Sequence, residues 1–161
     1  MHRIMLDTNV LVDYYLGREP GCSACKRIIE LARDRHILYA SASSLKDVYY
    51  LVGSTLKRAQ RIEGGALMED AAVACADIAW SCVRNALDVV LVANAGQTET
   101  LDAFVLRSVH NDFEDDLVLA SARAIHADLF VTGDASLAAH SPVGALTPQA
   151  AAALLESEAQ R

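Results

Sequence analysis

The chain has 161 residues, 14 Lys+Arg against 21 Asp+Glu for a formal net charge of −7, and 53% apolar residues. That length suits one domain over residues 1–161, and the apolar share supports a packed core rather than a disordered chain. The charge argues against non-specific duplex binding through a basic surface, no apolar run nears the ~18 residues of a membrane helix, and the opening residues lack a secretory h-region. A cytoplasmic protein with no membrane partner is expected, its four Cys present as thiols. The apolar surplus points to a surface patch that pairs with another chain, such as a homodimer face.

In chain order, short apolar runs alternate with longer helical patterns. Residues 4–6 read as a strand closed by Asp7-Thr8-Asn9. Residues 22–35 follow as a helix with Cys25, Ile28, Ile29 and Ala32 on one face. Residues 37–40 form the second strand, and residues 44–56 a helix striped by Leu45, Val48, Val52 and Leu56. Residues 66–86 are a long helix with Ala72, Cys75, Ala79 and Cys82 along one small-residue face. Residues 87–93, rich in β-branched side chains, read as the third strand. Helices are expected over 100–109 and 115–126, a fourth strand over 129–131, and a last helix from Pro148 with Thr147 as N-cap. Such alternation implies crossover units and a parallel sheet covered on both faces, with ligands collecting beyond the carboxyl ends of its strands.

Acids fall at that edge. Asp7 follows the first strand and Asp134 the fourth; Asp47 sits in the first turn of the helix after the second strand; Asp115 opens the helix leading into the fourth. Four carboxylates in one place repel unless protonated or held by a cation, and an oxygen-only donor set suits Mg²⁺ or Mn²⁺ rather than Zn²⁺. Mg²⁺ binds substrate phosphate, so the set points to phosphoryl chemistry. Taken singly, each acid is also an ordinary turn or cap residue, and Asp112-Phe113-Glu114-Asp115-Asp116 also reads as acidic decoration of a helix N-terminus.

Leu6-Asp7-Thr8-Asn9-Val10-Leu11-Val12-Asp13 resembles the opening motif of PIN-domain ribonucleases, specifically the toxin half of virulence-associated (VapBC-type) toxin–antitoxin pairs. Asp112 to Leu117 with Ala120-Ser121-Ala122, the run Ala127 to Asp134, and Leu146-Thr147-Pro148-Gln149 are similar to later parts of the same family, in order and over nearly the whole chain. The resemblance implies a three-layer α/β/α sandwich around a central parallel sheet of four or five strands. It implies metal-dependent endonucleolytic cleavage of RNA by a Mg-activated water, leaving a 5′-phosphate and a 3′-hydroxyl. By position it makes Asp7, Asp115 and Asp134 metal carboxylates, with Thr8 and Asn9 orienting Asp7 and Thr132 holding the opposite side. Where the family usually carries Glu, this sequence has Asp47, one methylene shorter; Asp112 and Asp116 are spare acids that assist or cap. The implied partners are an RNA substrate, a cognate antitoxin and a second copy of the chain.

Other families turn on single residues. Haloacid-dehalogenase-like phosphatases need a second acid two residues after the first-strand Asp, where this chain has Asn9. Receiver domains need an acid pair and a late Lys, neither of which is evident. A PIN-like module with a decayed site, acting by dimerisation or protein binding, stays open as the alternative, with Asp47 as its symptom. Lys57-Arg58 with Arg61, and Lys26-Arg27 with Arg33 and Arg35, read as RNA contacts or as solvated faces; Tyr49 and Tyr50 as base platforms or core; Trp80 and Phe104 as core or interface. The lone Cys22-Ser23-Ala24-Cys25 lacks the partners of a zinc site, and the five His are assigned no role.

Overall fold

The computed structural model describes residues 1–108 and 111–160, so the expected helix end at Val109 lies outside the described residues, as does His110. Five strands, β1 (Arg3–Leu6), β2 (Ile37–Ser41), β3 (Leu91–Ala93), β4 (Leu129–Val131) and β5 (Ala145–Leu146), form one sheet in the order β3-β2-β1-β4-β5. Every pairing is parallel. Successive side chains of a strand point to opposite faces, and β1 feeds two cores accordingly. Ile4 and Leu6 pack with α1 (Thr8–Leu16), α2 (Gly21–Ala32), α3 (Ala42–Gly64), α4 (Glu69–Val89) and α8 (Pro148–Ala159). Met5 and Phe130 pack with α5 (Gln97–Leu106), α6 (Phe113–Ala124) and α7 (Ala135–His140). The result is the expected three-layer α/β/α sandwich. No helix among the described residues is long and apolar enough to cross a membrane.

The strand order positions the site. The chain leaves β1 toward β2 and β3, then returns to β4 on the opposite side of β1. The chain therefore diverges to opposite faces after β1 and β4, the place where open parallel sheets bind ligands. The register pairs Leu6 with Val131, and the Asp7 N–H donates to the Val131 carbonyl at 3.0 Å. Asp7 and Thr132, the next residues along, are thereby brought side by side.

The elements depart from the sequence expectation at four points. The helix after β2 begins at Ala42, capped by Ser41, and runs to Gly64, where Gly65 turns left-handed at φ 72°. Asp47 therefore lies in its second turn, not its first. The apolar run 87–93 is split: α4 continues to Val89, Val90 ends it, and only Leu91–Ala93 is strand. Leu87 is exposed there, so its apolar character does not mark a buried strand. α1 and α7 stand where the sequence reads only motif and turn, each capped by the acid before it, Asp7 and Asp134. Trp80 and Phe104 are exposed rather than core. The last helix starts as expected, with the Ala150 N–H donating to Thr147 Oγ1 at 3.2 Å behind Pro148.

Candidate active site

Asp7 is the centre of the carboxyl edge. It is 2% exposed, and its carboxylate collects three donors. Oδ1 accepts from the Thr8 N–H at 2.7 Å; Oδ2 accepts from Asn9 Nδ2 at 2.6 Å and from Thr132 Oγ1 at 2.7 Å. Thr132, itself buried, also accepts from Asn9 Nδ2 at 3.2 Å and from the Asp134 N–H at 3.0 Å. Asn9 Oδ1 takes the Gly133 N–H at 3.0 Å, closing a ring between α1 and the turn after β4. Thr8 Oγ1 donates to the buried Ser44 Oγ at 2.9 Å, tying α1 to the start of α3.

Burial pushes the Asp7 carboxyl above its ordinary value, and the nearby charge of Asp134 pushes the same way. The three donors oppose both, Thr132 most strongly. A buried carboxylate held by donors yet raised by a like charge is poised to take a cation or a proton. Asp134 caps α7 by accepting from the Ser136 and Leu137 N–H groups at 2.7 and 3.0 Å, all on Oδ1.

A second acidic pair lies across the seam between α3 and α6. Asp47 is buried, with Lys46 Nζ at 2.9 Å from its Oδ1, while its Oδ2 has no hydrogen-bond partner. The carboxyl facing Asp47 belongs to Glu114, which the sequence pattern alone does not single out. Burial first, and then a side-chain hydrogen bond to Asp47 and its charge, raise Glu114 to about 7. Asp115, the next residue, adds to that repulsion. The signal that marks Glu114 is its place one residue before Asp115, turned ~100° round the helix toward α3.

The remaining candidates divide. Asp112 caps α6, accepting from the Glu114 and Asp115 N–H groups at 3.0 and 3.4 Å. Asp116 is buried and lines a cavity with Phe104, Arg107, Asn111 and Phe113. Arg27 is engaged by Glu156 at 2.6 Å and Glu30 at 3.4 Å, on the face where α2 meets α8. Lys57 and Arg58 lie in mid-α3, roughly 15–16 Å along its axis from Asp47. Tyr50 is exposed; Tyr49 is half-buried against Trp80, ring centroids 5.1 Å apart. All four Cys are free thiols, and burial pushes Cys25 up to about 12.

Among the described residues, the group of three that brings potential ligand atoms within 4.8 Å of one another is His2, His36 and Glu158, at the amino end of the sheet. His36 Nδ1 accepts the His2 N–H at 3.0 Å, so neutral His36 carries its proton on Nε2, facing Glu158 Oε2 at 3.9 Å. That protonated nitrogen offers a cation no lone pair.

Residues 3–136 match the family described as "PIN domain", and the chain belongs to that family. Among solved structures, the chain is similar to VapBC2 from Rickettsia felis bound to a promoter DNA fragment, with a TM-score of 0.66 at 16% identity, covering 90% of this chain and 98% of that one. It matches DNA-bound VapBC from Salmonella typhimurium with a TM-score of 0.66 at 13% identity, over 92% and 99% of the two chains. VapC20 of Mycobacterium tuberculosis, described as a sarcin-ricin loop cleaving toxin, matches with a TM-score of 0.55 at 20% identity, over 88% and 97%. A search among curated proteins found no match.

Proposed function

We propose that the chain is a divalent-cation-dependent endoribonuclease, the toxin half of a toxin–antitoxin pair. The observation that carries this reading is Asp7, a buried carboxylate oriented by Thr8, Asn9 and Thr132 and raised by burial and by Asp134 at the switch point of a PIN-domain sheet. The donor set fits Mg²⁺ or Mn²⁺: it is all oxygen, and Asp47 adds a buried oxygen without a donor. Asp7, Asp115 and Asp134 are the residues that would hold the ion. Such an ion supplies charge to offset a phosphodiester and acidifies water, the nucleophile in this reading.

The chain's own residues do the rest. Thr132 and Asn9 lock the Asp7 carboxylate in one orientation, so its oxygens need no rearrangement when substrate arrives. Asp134 is held by its cap to α7, which fixes its distance from Asp7. Lys46, largely exposed beside Asp47, is placed to meet an RNA phosphate at the acidic edge. The exposed Leu101, Phe104 and Val105 of α5 and Phe113 of α6, with Phe104 and Phe113 in edge contact at 6.4 Å, offer an apolar surface to a second copy. The VapBC complexes among the similar structures support an antitoxin as the other partner.

A protein-binding module with a decayed site is the second reading, and the short Asp47 is the observation that favours it. Cleavage of a mixed single-stranded RNA pool separates the two. The enzyme reading expects cleavage with Mg²⁺ or Mn²⁺, none with EDTA, and 5′-phosphate ends on the products. A folded, partner-free protein that leaves the pool intact in both metals would favour the module.

A further inference from the structure

We propose that the seam between α3 and α4 is a track for the single-stranded RNA flanking the cleaved bond, with Tyr50 and Trp80 as base platforms and Lys57 and Arg61 as phosphate contacts. The track rests on the ribonuclease reading above and gives its substrate a path to the site. Lys46, Tyr50, Ser54, Lys57 and Arg61 recur at spacings of four and three, so they share one face of α3. That face starts beside the acidic edge, where Lys46 meets Asp47 at 2.9 Å, and ends ~22 Å along the axis at Arg61. At ~3.4 Å per phosphate of a stacked strand, this length spans about six nucleotides.

Rings stand between the cations. Tyr50, 62% exposed, meets the edge of Tyr49 with centroids 5.4 Å apart, and Tyr49 leans on Trp80 at 5.1 Å, itself 62% exposed. Beside them lies a groove of about 190 Å³ lined by Tyr49, Tyr50, Gly53, Lys57, Ala76 and Ala79. Lys57, Arg58 and Arg61 form no ion pair among the described residues, although the chain carries a net charge of −7. Unpaired cations beside exposed rings fit a ligand that is anionic and aromatic at once. Single-stranded RNA is such a ligand, with phosphates for the cations and a π-face on every base. A second copy docked here about a two-fold axis would instead bring the same cations to the interface.

Trp80 is the chain's one Trp, so its fluorescence reports on this seam. The test titrates the full chain in EDTA with a labelled oligouridine of about 16 nucleotides, reading Trp80 emission and RNA anisotropy together. Binding is expected to quench Trp80. Lys57→Gln combined with Arg61→Gln is expected to weaken binding about tenfold at low salt and to reduce the slope of log K against log salt by about 1.4. Tyr50→Ala is expected to weaken it about fivefold or more, whereas Tyr50→Phe, which keeps the ring, should bind like the wild type. Tyr50 and Arg61 are exposed, so their variants should melt like the wild type. If RNA leaves Trp80 unquenched, or the double variant binds like the wild type, the track is overturned. Cleavage of the RNA pool with Mg²⁺ or Mn²⁺ would then leave the ribonuclease reading intact, and an uncut pool would take both down. Trp80 emission that shifts with protein concentration before RNA is added would assign the seam to a second copy and overturn the track as well.

Discussion

The two ends of the sheet gather charged groups in opposite ways. At the amino end Asp128 and Glu158 each meet a donor. Asp128 accepts the Arg3 N–H at 2.7 Å, and this bond draws its carboxyl below the usual range. Glu158 takes His2 Nε2 at 3.0 Å and is drawn down as well. At the carboxyl end the acids face one another: Asp7 near Asp134, and Glu114 against Asp47, with Asp7 and Glu114 both pushed up. Acids lowered by their partners close a structure; acids raised by burial and by each other store a demand for positive charge. One parallel sheet thus has an end where acids are lowered by their donors and an end where Asp7 and Glu114 are raised by burial and by neighbouring acids.

The contrast yields predictions of decreasing size. Asp7→Asn removes the central carboxylate while keeping its shape, and RNA cleavage in Mn²⁺ should fall about a hundredfold or more. Equal cleavage by this variant would erase the distinction between the ends. Thr132→Val keeps the volume but deletes the hydroxyl that donates to Asp7 and accepts from Asn9 and the Asp134 N–H. Thermal or urea unfolding should show a loss of about 1–3 kcal/mol, the cost of buried groups left unpaired. A neutral result would mean that the ring around Asp7 is slack.

The smallest effect belongs to the amino end and is a pH dependence. Burial, and then the neighbouring His2, lower the pKa of His36 below 6.5. The folded state therefore binds fewer protons than the unfolded state in that window. His36 contributes stability that is full above about 6.5 and lost as pH falls through its folded value. Melting temperature should drop on mild acidification, and His36→Gln should flatten the drop. A steeper drop in the variant would reverse the sign assigned to His36.

Much of this was legible in the sequence because a parallel sheet makes strand ends meaningful. Asp7 and Asp134 follow short apolar runs, and strand order alone brings the first beside Thr132. The stripe Leu45, Val48, Val52 reads correctly because helical period and burial coincide there. The third strand reads too long because apolar composition is shared by a helix end and a buried strand, and nothing local separates Val89 from Leu91. Glu114 was not legible for a related reason. Each acid of Asp112 to Asp116 suits a helix N-terminus, and only the packing of α6 against α3 singles out the one that meets Asp47. The helix α1 was hidden inside the motif that opens the site, since Asp7 serves both as its cap and as the central carboxylate.

The most direct test of the contrast compares Mn²⁺ uptake in Asp7→Asn, at the carboxyl end, with Glu158→Gln, at the amino end. Uptake abolished by Asp7→Asn and unchanged by Glu158→Gln is the expected result. Uptake that survives Asp7→Asn and disappears with Glu158→Gln would place the cation at the His2–His36–Glu158 group and contradict the assignment of the carboxyl edge as the active end.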